Sequence, residues 1–144
     1  MFQLLVREDF SAAHRLLSTG GKCAELHGHN WKVEVRVRAE ELDGSGMAID
    51  FHDLKAMTRE ILEELDHRYL NDLPAFRRQN PTAENLARYI YERLAGRLLT
   101  GPVGLDRVCV WESETTAATY RKSPDPAPGR PEGERRKAKG SRGG

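Results

Sequence analysis

Two stretches of this chain alternate apolar and polar residues with a period of two, and two others repeat apolar residues at helical spacing. Residues 2–10 set Phe2, Leu4, Val6 and Phe10 against Gln3, Arg7 and Asp9, the pattern of a half-buried strand. Residues 30–40 alternate more cleanly, with Trp31, Val33, Val35, Val37 and Ala39 on one face and Lys32, Glu34, Arg36 and Arg38 on the other. Asp50 is placed as an N-cap before Phe51, Leu54, Met57, Ile61, Leu62 and Leu65, which share one helical face and predict a helix ending near Asp66-His67. After Pro81, Thr82 caps a second helix whose stripe is Leu86, Ile90, Leu94 and Leu98, with Glu84 in the first turn and Gly101-Pro102 as the stop. Residues 105–113 and 116–121 read as two further strands, 43–46 as a turn, and 47–49 as a short strand or merely extended chain. The order ββααββ predicts an α+β domain, an antiparallel sheet with two helices on one face.

Composition divides the chain. Residues 1–121 are long enough for one domain with its own core. Residues 122–144 contain no apolar side chain larger than Ala and predict a disordered basic tail. The formal net charge of +1 splits into about −3 for the body and +4 for the tail, so no global field draws the body to nucleic acid. Arg135-Arg136-Lys137 offers a patch for RNA or an anionic surface, against the plainer reading of a solvated tail. No apolar run approaches the ~20 residues of a membrane span, and the N-terminus is charged too soon for a signal peptide. Cys23 and Cys109 make no disulfide framework. A cytoplasmic protein with free thiols is expected.

Chemistry gathers in residues 14–31. His27 and His29 share the parity of the valines, and His14 shares that of Leu4 and Val6 if its strand runs on without a bulge. All three imidazoles then extend one buried face. Three neutral imidazoles suit Zn²⁺ with one exchangeable position, the catalytic rather than the closed structural pattern. The plain alternative is three sheet-end histidines bonded within the core. Gly28 between them lets the backbone approach whatever the rings hold. Cys23 rides the return leg of a loop over 16–26 with Gly20-Gly21 at its tip. It reads as a reactive thiolate beside a cation, as a buried apolar side chain, or as a fourth zinc ligand. Cys109, between Val108 and Val110, reads as packing.

Other candidates carry two readings each. Asp66-His67 is either an imidazole complementing a helix C-terminus or an Asp-oriented proton donor and acceptor. Glu112 has inward parity and is half of an ion pair or a carboxylate for an N–C–N edge. His52 reads as surface, while Arg15, Lys22 and Arg68 flank the site as possible anion contacts. The charged strand face and the open sheet edges predict edge-to-edge closure of several copies into a barrel with a polar lumen.

The blocks Phe10-Ser11-Ala12-Ala13-His14-Arg15, Cys23-x-x-Leu26-His27-Gly28-His29, Ile49-Asp50-Phe51-x-x-Leu54-Lys55, Leu65-Asp66-His67-x-Tyr69-Leu70-Asn71, Asn80-Pro81-Thr82-x-Glu84-Asn85 and Glu112-Ser113 resemble the 6-pyruvoyltetrahydropterin synthase family. The likeness spans about residues 2–121. Within the family it is strongest to the bacterial 6-carboxytetrahydropterin synthases of the queuosine (7-deazaguanine) pathway. The resemblance implies a tunnelling fold, with trimers pairing into hexamers around a barrel and sites built between subunits. It implies zinc on His14, His27 and His29, Cys23 as general base, Asp66 and His67 as proton relay, and Glu112 with the Thr82 region as the pterin anchor. The implied substrate is 7,8-dihydroneopterin triphosphate. The implied products are 6-carboxytetrahydropterin, acetaldehyde and triphosphate, or alternatively the pyruvoyl compound. A non-catalytic pterin-binding zinc scaffold is the alternative of another class. Folate-serving members carry a glutamate beside the cysteine, where this chain has Ala24 and places Glu25 one residue on.

Overall fold

The computed structural model describes residues 1–17 and 21–122. The tail reading therefore lies beyond the described residues. Valine-rich alternation produces two long strands, β1 (Phe2–His14) and β2 (His27–Ala39), paired antiparallel from Phe2↔Ala39 to His14↔His27. No bulge interrupts that ladder, so parity carries unbroken from Val6 to His14 on one strand and from Val37 back to His27 on the other. Both strands exceed expectation at the histidine end.

Helix α1 (Phe51–Glu63) starts where Asp50 accepts a hydrogen bond from the His52 N–H at 2.7 Å. It stops earlier than the apolar spacing predicts. The Asp66 N–H still reaches the Leu62 carbonyl, and His67 then adopts φ 56, a left-handed conformation in which glycine is the usual residue at a helix end. The reversal lays Arg68–Tyr69 beside β1 as a two-residue parallel strand, β3, which the pattern did not foretell. Helix α2 (Ala83–Leu98) is capped by Thr82, which accepts from the Asn85 N–H at 3.1 Å. Strands β4 (Gly104–Trp111) and β5 (Ala117–Tyr120) complete a five-stranded sheet in the order β3-β1-β2-β4-β5. Residues 47–49 form no strand.

The helices cover one sheet face, α1 over β1 and α2 over β4 and β5. Val33, Val35, Val37, Val108 and Val110 meet Leu54, Ile61, Leu86, Ile90 and Leu94 in a core from which water is excluded. Trp31, at 0% exposure, stacks on Phe10 and closes this core at the histidine end. Truncating it to Ala would cost about 3–5 kcal/mol. The opposite sheet face carries Lys32, Glu34, Arg36 and Arg38, where Arg7 and Glu34 pair across strands at 3.0 Å.

Candidate metal centre

The unbroken register of β1 and β2 delivers three imidazoles to one spot. His14 is fully buried, and its ring lies 4.5 Å from that of His27 and 5.1 Å from that of His29, centroid to centroid. The indole of Trp31 forms the floor, edge-on to His14 and His29. Sheet-end parity is therefore a sufficient physical cause of the convergence.

The hydrogen bonds set the tautomers. His14 directs Nδ1 at the Pro81 carbonyl (2.8 Å) and His27 directs Nδ1 at the Glu25 carbonyl (2.7 Å), so each ring donates there and keeps a bare Nε2. Those two Nε2 atoms stand 2.9 Å apart. Two lone pairs at that distance repel unless a cation lies between them. The Nε2 of His29 is buried and has no hydrogen-bond partner among the described residues, an orphaned ring nitrogen of the kind a ligand satisfies. Burial pushes the pKa of His14 and of His29 below the ordinary histidine value, and their imidazole neighbours reinforce this. Neutral rings with free lone pairs are what a zinc ion requires. The residues present fit the metal.

A carboxylate joins the three imidazoles. Glu112, on the bend after β4, brings Oε1 to 3.4 Å from His14 Nε2 and 3.2 Å from His29 Nε2. The four donor atoms of His14, His27, His29 and Glu112 lie within 4.8 Å of one another. Gly28 is not required sterically, since a Cβ there would meet only the Ala12 carbonyl at 3.9 Å. Cys23 belongs to a single 3-10 turn, Gly21–Ala24, and its side chain lies outside the described residues, as does that of Lys22.

Asp66 and His67 form a separate pair. Asp66 accepts from the Ser11 N–H through Oδ1 (2.9 Å) and holds His67 Nδ1 through Oδ2 (2.9 Å). The Ser11 hydrogen bond, then His67, keep the Asp66 carboxyl below the usual carboxylate range. The His67 side chain is 81% exposed and joins no metal cluster among the described residues; it shares an open groove of about 540 Å³ with His29, Gly28 and Tyr69. His52 is exposed, as expected, and so are Arg15 and Arg68. Cys109 is half-buried on the charged sheet face rather than in the core.

Two residues escaped the sequence reading. Asn71 accepts from the Arg15 N–H (3.0 Å) and donates to its carbonyl (2.9 Å); Asn80 does the same for Leu17 at 2.7 and 2.9 Å. Each amide imitates a strand partner, so the chain leaving His14 is tied at Arg15 and Leu17 to residues far along the sequence. Asn80 also accepts, through its own carbonyl, from Thr82 N–H and Asn85 Nδ2, which ties it to the α2 cap. The signal was their position in quoted motifs, but an amide clamping backbone across 56 or 63 residues has no local pattern.

Comparison with known proteins agrees with this geometry. A family model described as 6-pyruvoyl tetrahydropterin synthase matches residues 3–123. The 6-carboxy-5,6,7,8-tetrahydropterin synthase of Synechocystis is 39% identical over 116 residues, spanning 77% of this chain and 86% of its own. The human 6-pyruvoyl tetrahydrobiopterin synthase is 38% identical over 134 residues, 83% of this chain and 90% of its own. The solved 6-pyruvoyl tetrahydropterin synthase of Caenorhabditis elegans matches with a TM-score of 0.77 at 34% identity, covering 85% of this chain and 96% of that one. With nearly all of its described length matched, in sequence and in backbone, the chain belongs to the 6-pyruvoyl tetrahydropterin synthase family.

Proposed function

We propose that this protein is a zinc-dependent lyase that converts 7,8-dihydroneopterin triphosphate and water to 6-carboxy-5,6,7,8-tetrahydropterin, acetaldehyde and triphosphate, the reaction that serves queuosine (7-deazaguanine) biosynthesis in the cytoplasm. One observation carries it: the bare Nε2 atoms of His14 and His27, 2.9 Å apart, with the orphaned Nε2 of His29 beside them. The Synechocystis relative of that name supports the choice of product. No described helix is long and apolar enough to cross a membrane.

The roles follow from chemistry. Zinc on the three imidazoles would polarise the oxygens of the substrate's side chain and acidify its neighbouring C–H and O–H groups. Cys23, as thiolate, removes one such proton, and His67, oriented by Asp66, returns one elsewhere. Glu112 receives the 2-amino-pyrimidinone edge through both carboxylate oxygens, with Thr82 nearby at the α2 cap. The exposure of His67 supports a site shared between subunits, in which one chain's relay serves a neighbour's metal. Hexameric assembly has support in the sheet: β3 pairs only with Ala12–Ala13 of β1, and β5 leaves an open edge opposite. Joining such edges would enclose the Lys32, Glu34, Arg36 and Arg38 face in a barrel.

Incubation with dihydroneopterin triphosphate, read by mass spectrometry, tests the assignment: acetaldehyde and the carboxy product are expected. Cys23→Ala should keep zinc and lose turnover; normal turnover would remove Cys23 from the role of base. The human and worm relatives favour a second reading, triphosphate elimination to the pyruvoyl product, which the same product masses distinguish. Binding without any product would leave the non-catalytic scaffold.

A further inference from the structure

Asp66 and His67 are both fastened to one residue of β1. Ser11 donates its N–H to Asp66 Oδ1 at 2.9 Å, and its carbonyl accepts the His67 N–H at 2.6 Å. These bonds hold a strained stretch of backbone, since His67 adopts φ 56 without being glycine. The strand that follows adds little, because β3 pairs only Arg68 with Ala12 and Tyr69 with Ala13. How firmly Ser11 is held therefore sets how firmly Asp66 and His67 are held. The Ser11 N–H is also the chief reason that the Asp66 carboxyl stays below the usual range, and so stays charged opposite His67.

The N–H and C=O of one strand residue point to the same side, and those of Ser11 point to Asp66 and His67, away from β2. Asn30 faces Ser11 in the register of β1 and β2 and is reached through the side chain alone, Ser11 Oγ donating to Asn30 Oδ1 at 2.8 Å. The Asn30 side chain has no other hydrogen-bond partner among the described residues. Asn30 follows His29 directly in β2, and Asn30, Ser11, His29 and His67 all line the same open groove. A chain of contacts thus runs from the histidine-bearing strand through Asn30 and Ser11 to Asp66 and His67.

We propose that Asn30 is a positioning residue for the reaction, fixing through the Ser11 hydroxyl the main-chain groups of Ser11 that hold Asp66 and His67. This deepens the function proposed above and rests on it for the effect on turnover; the effect on the backbone of Ser11 and His67 stands on the contacts alone. A neutral amide serves this role because it engages the hydroxyl without setting a second negative charge beside His67. Asn30 makes no contact with a reacting atom in this role. It ties the proton relay of a chain to the strand that carries two of that chain's imidazoles.

The test uses the full chain and removes the same bond from its two ends, with Asn30→Ala, Ser11→Ala and their double variant, while Ser11→Thr keeps the hydroxyl. In each alanine variant kcat on dihydroneopterin triphosphate should fall about three- to tenfold, the range one neutral hydrogen bond supports, with KM within about twofold of wild type. The double variant should be no slower than either single one, and Ser11→Thr should recover most of the loss. Amide hydrogen exchange at Ser11 and His67 should quicken by about the same factor, while the β2 valine amides stay as slow as in wild type and the zinc content is unchanged. A raised KM in Asn30→Ala with Ser11→Ala unaffected would overturn the proposal and make Asn30 a substrate contact. Zinc lost from Asn30→Ala would overturn it in favour of a support for His29. Additive losses in the double variant, or unchanged exchange at Ser11 and His67, would each remove the coupling. Should Asn30→Ala misfold, the comparison of Ser11→Ala with Ser11→Thr carries the test. A wild type that gives no product would undo the proposed reaction, and the exchange rates would still decide whether Asn30 holds the pair.

Discussion

The Nε2 atoms of His14 and His27 stand 2.9 Å apart although each ring already donates its Nδ1 hydrogen to a backbone carbonyl. Only a shared cation makes that contact favourable. Burial, with the neighbouring imidazoles, disfavours a proton in that role at His14, so the arrangement suits a metal. Purified protein should therefore carry zinc, and chelation should lower its thermal midpoint; saturation at a hundred times Kd contributes about 2.7 kcal/mol. The sign of the pH effect is fixed by the lowered pKa values of His14 and His29. Unfolded histidine binds a proton near pH 6.5, where these folded rings resist it, so stability is full above that value and falls as the pH drops below it. Protons also displace metal over the same range. Thermal unfolding from pH 5 to 8, with and without zinc, measures both.

His67 holds a left-handed backbone at φ 56 in order to face Asp66. Replacing it by Gly relieves about 1 kcal/mol of strain and adds a similar loss of unfolded-state restriction. The midpoint of His67→Gly should thus stay within about 1 kcal/mol of wild type, while the proton-relay role proposed for His67 predicts that turnover falls about 10²–10⁴-fold. Denaturant titration paired with steady-state kinetics separates the two.

Asp66→Asn keeps a side chain able to accept from the Ser11 N–H but loses the charge that orients His67. Its turnover should approach that of the His67 variant, and the double variant should be no worse than either single one, because the pair acts as a unit. Full additivity in the cycle would show that the two residues work independently.

Asn80 satisfies both backbone groups of Leu17 and accepts from two further donors at the α2 cap. Asn80→Ala hands the exposed Leu17 N–H and carbonyl to water, a cost of about 0.5–1.5 kcal/mol. Amide hydrogen exchange at Leu17 should accelerate in the variant while the β2 valine amides remain protected until global unfolding.

Asp106 is the extra residue of a bulge between β2 and β4, buried among Arg38, Arg107 and Arg121. Burial alone would raise its pKa, but Arg107, with Arg121 and Arg38, outweighs it and holds the carboxyl below its usual value. Asp106→Asn should cost about 1–3 kcal/mol at pH 7. Because the folded pKa is lowered, the contribution is complete above the unfolded value near 3.9 and fades as the pH falls through the folded one. The gap between wild type and Asp106→Asn in urea should accordingly close in strong acid.

Local pattern was enough to determine the long strands, both helices with their Asp50 and Thr82 caps, and the placing of His14, His27 and His29 on one face. Side-chain alternation is a property of backbone geometry, so an unbroken strand carries parity over any length. Spacing left Cys23, Asp66, His67 and Glu112 as open candidates, and motif likeness implied a role for each. Tertiary structure alone decided where Glu112, Asp66 and His67 stand. Glu112 reaches the imidazoles because a bend ends β4 one residue before it, and His67 stands off the cluster, in an open groove it shares with His29, because α1 ends early in a left-handed turn. The strand at Arg68–Tyr69, the clamps at Asn71 and Asn80, and the buried Asp106 likewise depend on partners distant in the chain, Asn80 and Leu17 being 63 residues apart. Such pairings follow from which surfaces pack together, a property of the whole fold that no window of neighbouring residues contains.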